Sequence, residues 1–136
     1  MLRTIILVFN NMKGTIITEI NRLVKLGQCT YHLVMTINFF NYFLQNPTER
    51  FIISENSLVR SISTQLGSLQ HLKEINLSDN YLTRSMPLMS NKFIEEITLS
   101  SKYLTGLIPL LPEKLTILNL KHNLLNGTLS DPILAT

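Results

Sequence analysis

An asparagine slot recurs along this chain at a period that leaves few folds open. Asn56 to Asn80 is 24 residues, Asn80 to Lys102 is 22, and Lys102 to Asn123 is 21. The residues around each slot repeat with it. Leu72, Ile75, Leu77, Asn80 and Leu82 follow the spacing L-x-x-L-x-L-x-x-N-x-L, and Met86 and Pro87 come after them. The frame returns at Ile94, Ile97, Leu99, Lys102, Leu104, Gly106, Ile108 and Pro109. It returns again at Leu115, Leu118, Leu120, Asn123, Leu125, Gly127 and Leu129. Upstream, Phe51, Ile53, Asn56, Leu58 and Ile62 fit it, as do Leu2, Ile5, Leu7, Asn10, Met12, Gly14 and Ile16 at the start. A multi-position pattern at such spacing marks stacked units, each too small to bury its own apolar face.

Each position has a physical role in such a stack. In Ile75-Asn76-Leu77, alternation puts Ile75 and Leu77 on one face and Asn76 on the other. The spacing therefore predicts short parallel strands centred near Ile6, Ile52, Asn76, Thr98 and Asn119, one per unit. The slot asparagines, Asn10, Asn56, Asn80 and Asn123, are predicted to turn inward as a structural ladder. There they would bond backbone groups that the chain exposes on leaving the sheet. The Gly slot permits a left-handed turn and the Pro slot fixes φ. Thr18 to Leu23 and Thr64 to Leu69 carry apolar residues at every third position, which suits short 3-10 turns.

These residues resemble the leucine-rich-repeat family. The added Gly106-Leu107-Ile108-Pro109 element looks like its plant-type subclass, found in receptor ectodomains and secreted inhibitors. The resemblance covers Leu2 to Leu26 and Glu49 to about Ile133. It implies an α/β-class horseshoe solenoid, with a parallel sheet on the concave face and loops or short 3-10 turns on the convex face. It also implies that ligands are read by the outward residues of the concave sheet. Here these are Ile52, Ser54, Asn76, Ser78, Thr98, Ser100, Asn119 and Lys121, with no cofactor.

Several slots depart from the pattern. Lys102 stands where an asparagine is expected and has no acceptor to offer. Arg60 and Arg84 occupy glycine slots, and Ile17, Ser63 and Ser130 occupy proline slots. This implies weak constraint, or turns that do not need positive φ. The largest departure is Gly27 to Thr48. Asn10 to Asn56 is 46 residues, one 24-residue period plus the 22 of that segment. Without the segment, Leu26 joins Glu49 in frame as L-x-x-F-x-I-x-x-N. We read one domain over residues 1–136, with repeats at about 2–26 and 49–136. Segment 27–48 is either a degenerate repeat or an in-register insert. The frame opens at Leu2 and closes after Ile133 with no polar cap, as in a fragment of a longer repeat protein.

Composition narrows the function classes. Hydrophobic residues are 45% and charged residues 15%, so the chain forms a core. The net charge of +3 comes from scattered Lys and Arg, unlike the clustered charge of a nucleic-acid binder. Cys29 stands alone, which excludes an intrachain disulfide and a multi-cysteine zinc site. The apolar run after Arg3 ends at Phe9, short of a signal-peptide core, and no stretch reaches the length of a membrane span. His32, His71 and His122 lack metal-ligand spacing. Glu95 and Glu96 are adjacent carboxylates of a kind that diverge rather than converge. No phosphate loop or nucleophile elbow is present.

Asn76-Leu77-Ser78 and Asn126-Gly127-Thr128 match the N-glycosylation acceptor, which makes Asn76 and Asn126 possible sites. We therefore expect a non-enzymatic module that binds a protein or peptide and neither binds nucleic acid nor spans a membrane. The alternative is a piece of a receptor ectodomain or a structural remnant without activity of its own. The compartment is left open, and is extracellular or membrane-attached if the parent protein is receptor-like.

Overall fold

The computed structural model describes residues 4–6, 8, 13–14, 48–100 and 103–127. The chain winds as a parallel-strand solenoid in which each coil supplies two short strands. The elements are β1 (Thr4–Ile6), β2 (Lys13–Gly14), β3 (Arg50–Ile52), β4 (Ser57–Arg60), β5 (Glu74–Asn76), β6 (Tyr81–Leu82), β7 (Glu96–Thr98), β8 (Thr105–Leu107), β9 (Ile117–Asn119) and β10 (Leu124–Asn126). One 3-10 helix, Thr64–Ser68, is the only helix among the described residues. The α/β label thus overstates the helical content.

The strands β1, β3, β5, β7 and β9 form a five-stranded sheet in that order, every neighbour parallel. The register puts Ile5, Phe51, Ile75, Ile97 and Leu118 in one row. Alternation explains the burial: Ile75 is fully buried while Glu74 and Asn76 on either side are half-buried. A second set of strands runs beside the first. There β2, β4 and β6 form one parallel sheet, β8 and β10 form another, and a bridge between Arg84 and Leu104 links the two.

The core fills the space enclosed by each coil. Phe51, Ile53, Leu58, Leu72, Ile75, Leu77, Leu82, Ile94, Ile97, Leu99 and Leu104 are all almost completely buried. Leu111, Leu115, Leu118, Leu120 and Leu125 pack against them but remain only partly buried. Among the described residues, their coil has a packed neighbour on one side only. The 3-10 helix is started by Ser63, whose hydroxyl accepts from the Gln65 N–H at 3.3 Å. A serine in a proline slot thus serves as a cap. Behind that helix two coils approach closely. A Cβ on Gly67 would lie 2.5 Å from the Leu88 carbonyl oxygen, and the Asn91 N–H donates to Gly67 O at 2.8 Å.

Two sequence expectations need correction. Ser78 does not face solvent: it is 7% exposed. Its hydroxyl donates to Asn76 Oδ1 at 2.7 Å and its N–H to the same oxygen at 3.1 Å, so the Asn76 side chain folds over it. The turns at Arg60 and Arg84 do need positive φ. Those residues sit at φ 72 and 69, beside Gly106 at 84 and Gly127 at 96. The turn keeps its shape and the arginine takes up the left-handed strain. The 3-10 turn expected at Thr18 to Leu23, and the residues Asn10, Cys29, His32 and Lys102, lie outside the described residues.

The direct pairing of β1 with β3 bears on segment 27–48, most of which also lies outside the described residues. We propose that it is an insert and not a coil. Thr48, at 3% exposure, fills the slot that Leu72 and Ile94 fill in later coils. Deleting residues 27–48 brings Leu26 into that slot. We expect the deletion variant to stay soluble and to melt no lower than the full chain. A clear fall in its midpoint would identify the segment as a working coil.

Leu77→Ala should cost about 2–5 kcal/mol in urea titration, as a truncation inside a packed row. Ser78→Ala should cost about 1 kcal/mol, since it removes a hydrogen bond at a buried position. A loss near zero for Ser78→Ala would show that the bond to Asn76 contributes nothing.

Candidate functional site

The outward face of the five-stranded sheet presents side chains in columns, because every strand starts at the same point of its coil. One column is Arg50, Glu74, Glu96 and Ile117; the next is Ile6, Ile52, Asn76, Thr98 and Asn119. Arg50 makes an ion pair with Glu74 through Nε, and its second nitrogen donates to Glu74 Oε1 at 3.2 Å. The hydrogen bond to Glu74 raises the Arg50 pKa, the charge of Glu74 adds to this, and Glu96 contributes further. At the rim, Lys73 Nζ lies 3.5 Å from Glu49. Thr98 donates its hydroxyl to Glu96 Oε1 at 3.4 Å. Both ion pairs are solvent-exposed, so they set local charge order more than stability.

The eight residues expected to form the recognition face divide into three groups. Asn76, Thr98, Ser100 and Asn119 are half-buried on the sheet face, and Lys121 is exposed. Ile52, Ser54 and Ser78 are buried, at 8%, 6% and 7% exposure. The serines lie two residues past the strand, where the chain has already turned inward. Their carbonyls accept from ladder side chains: Asn56 Nδ2 donates to Ser54 O at 2.8 Å, and Asn80 Nδ2 to Ser78 O at 3.1 Å. The charged column of Arg50, Glu74 and Glu96 was missed. Its signal was present in the sequence, since each of these residues flanks a core position at the start of an L-x-L element.

The asparagine side chains tie coils together. Asn80 Nδ2 donates to Ile53 O of the preceding coil at 2.8 Å and to Leu77 O of its own at 3.1 Å, while Asn80 Oδ1 accepts from the Leu58 N–H at 3.1 Å. Asn123 repeats this with Leu99 O at 2.8 Å, Leu120 O at 3.0 Å and the Leu104 N–H at 3.1 Å. The residue before each slot, Glu55, Asp79 or His122, takes positive φ to aim the asparagine inward. A second buried asparagine was not foreseen. Asn91 Nδ2 donates to Leu69 O and Leu72 O of the preceding coil, each at 2.7 Å, and its Oδ1 accepts from the Phe93 N–H at 2.9 Å. It stands in the slot held by Leu69 and Pro112 elsewhere, so no recurrence exposed it.

Residues 71–92 match the family model described as Leucine Rich Repeat. The match supports reading that segment as a leucine-rich repeat. It holds β5, β6, Asn80 and the turn at Arg84. No curated protein matches the chain. Leucine-rich repeats are generally protein-interaction modules. Among the described residues no group of three His, Cys, Asp or Glu could hold a metal, and no helix is long and apolar enough to cross a membrane. His71 and His122 are both exposed. Of the two glycosylation acceptors, Asn126 is exposed, whereas the Asn76 carboxamide oxygen is occupied by Ser78.

The ladder generates a test at the departing slot. The buried Leu82 occupies the position held by Leu58 and Leu104 in adjacent coils, yet no side chain among the described residues accepts from its N–H. Lysine has no acceptor to supply. Lys102→Asn should therefore stabilise the chain by about 1 kcal/mol in urea titration, the usual net worth of such a bond. An unchanged or lowered midpoint would mean that the Leu82 N–H is already satisfied.

Proposed function

We propose that the chain is a non-catalytic module that binds a protein or peptide across the outward, concave face of its five-stranded sheet. The observation that carries this reading is the register. Residues Ile6, Ile52, Asn76, Thr98 and Asn119 stand side by side on five successive strands, and Arg50, Glu74 and Glu96 form a charged column next to them. A rigid array of this kind positions donors, acceptors and charges with little ordering cost on binding. The contact residues of this reading are Asn76, Thr98, Ser100, Asn119 and Lys121, with the charged column beside them. A plant-type, receptor-derived origin and a place outside the cell or on its membrane are consistent with the Gly106 to Pro109 element.

Selection of a phage-displayed random peptide library on the purified chain tests the proposal. We expect enriched peptides whose binding is lost with Thr98→Arg or Asn119→Arg, which place a bulky charge in the columns. Leu110→Arg, at an exposed position off the sheet, should leave binding unchanged. Failure to enrich any peptide, or equal sensitivity to all three changes, would remove the sheet face from consideration.

A further inference from the structure

We propose that the flank formed by β2, β4, β6 and β8 is a docking strip for an extended acidic segment of a partner protein. The inference rests on the protein-binding reading and moves the strongest anchor off the sheet face.

The first observation is the pair of arginines in glycine slots. In a regular strand Arg60 would follow Leu58 inward, since residues two apart share a face. Its positive φ turns the side chain out instead, and Arg60 is exposed while its register partner Leu82 is buried. Arg84 repeats this in the next coil. Neither has a carboxylate within ion-pair distance among the described residues; the ion pairs there involve Arg50 and Lys73. Glu55 and Asp79, the acids nearest in sequence, sit in the turns before β4 and β6 and do not neutralise them. Lys13 in β2 is also exposed and lies in the strand beside β4. Three cations thus occupy three successive coils of one flank.

The second observation is aromatic. Tyr81 and Tyr103 are 52% and 42% exposed, with ring centroids 5.9 Å apart. Val59 is paired directly opposite Tyr81, and Leu124 continues the row opposite Thr105. Tyr and Arg are the side chains that most often anchor protein interfaces, and the sheet face has only Arg50, already paired. From the register, Arg60 and Arg84 lie one strand over and two residues along, roughly 8 Å apart at their backbones. Alternate side chains of an extended peptide are roughly 6.6–6.8 Å apart on one face. Two acidic residues at i and i+2 can therefore reach both guanidinium groups, each able to hold a carboxylate through two bonds. The aromatic row lies beside them to pack the peptide's apolar atoms.

Fluorescence anisotropy with a labelled octaglutamate peptide at physiological ionic strength tests the proposal. The key variant is the double change Arg60→Gly and Arg84→Gly. Glycine relieves the left-handed strain, so this protein should melt no lower than the parent. Lost binding then cannot be laid to misfolding. We expect its affinity for the peptide to fall at least about tenfold, as for loss of interface hot spots. Tyr103→Ser should weaken binding severalfold, and Thr98→Arg on the sheet face should not weaken it. No binding of octaglutamate, or binding that survives the double change, overturns the docking strip. Tighter dependence of heparin than of octaglutamate on the two arginines overturns the protein partner in favour of a polysaccharide. In each of these cases library peptides still sensitive to Thr98→Arg would leave the sheet-face function standing, whereas loss of those too would remove both.

Discussion

One carboxamide holds two coils together at the point where the chain leaves the sheet. At Asn80 the side chain donates back to Ile53 O and Leu77 O and accepts from the Leu58 N–H, and Asn123 does the same two coils further on. The groups bonded by Asn80 are buried and those bonded by Asn123 part-buried, and an unmade bond at a buried group costs about 1–3 kcal/mol. Only a side chain with both donor and acceptor can satisfy a carbonyl of one coil and an amide of another. The rest of the architecture follows. Once the turn is held inward, the residues before it run as a strand beside the previous strand, and the residues after it start the second strand.

That constraint also explains how the face and the flank differ. Strand residues before the ladder lie in strict register, Thr98 opposite Asn76 and Asn119 opposite Thr98. The face is therefore repetitive, and its column of Asn76, Thr98 and Asn119 is small in side-chain size. After the ladder the register shifts by two positions, Val59 pairing with Tyr81 and Thr105 with Leu124. Larger side chains then meet obliquely, and room for Tyr81 and Tyr103 appears on the flank. Strict register sits on one surface and the exposed tyrosines on the other.

The rows of Phe51, Ile75 and Ile97 were legible because alternation in a strand leaves one choice of face. The same spacing placed each strand, though the expected centres, Ile6, Ile52, Asn76, Thr98 and Asn119, are the strands' last residues and the true centres lie one residue earlier. What was not legible depends on side-chain conformation or on positions that do not recur. Ser78 is spaced as an outward residue, but Asn76 folds over it and Asn80 pulls its carbonyl inward. Asn91 bonds two carbonyls of the coil before it, yet its slot holds Leu69 and Pro112 elsewhere. Gly67 is one glycine among five, and only the 2.5 Å approach of Leu88 O to its absent Cβ shows why no larger residue fits. On the candidate face, the polar column could be placed from the alternation, whereas the pairing of Arg50 with Glu74 needed the register between coils.

The arginines in glycine slots join stability to recognition. A non-glycine residue in the left-handed region carries a cost on the order of 1–3 kcal/mol, and such strain collects where side-chain identity matters. Gly106 and Gly127 show that the same turn is available without it. Positive φ is also what carries Arg60 and Arg84 out of a core-facing position. An arginine with ordinary strand angles there would place a guanidinium among Leu58, Leu82 and Leu104, where burial of an unpaired charge is far more costly than the strain. The conformation that the glycine slot imposes is thus the one that lets an arginine be tolerated and exposed. Two such arginines in adjacent coils beside paired tyrosines are the arrangement on which the proposed acidic ligand rests.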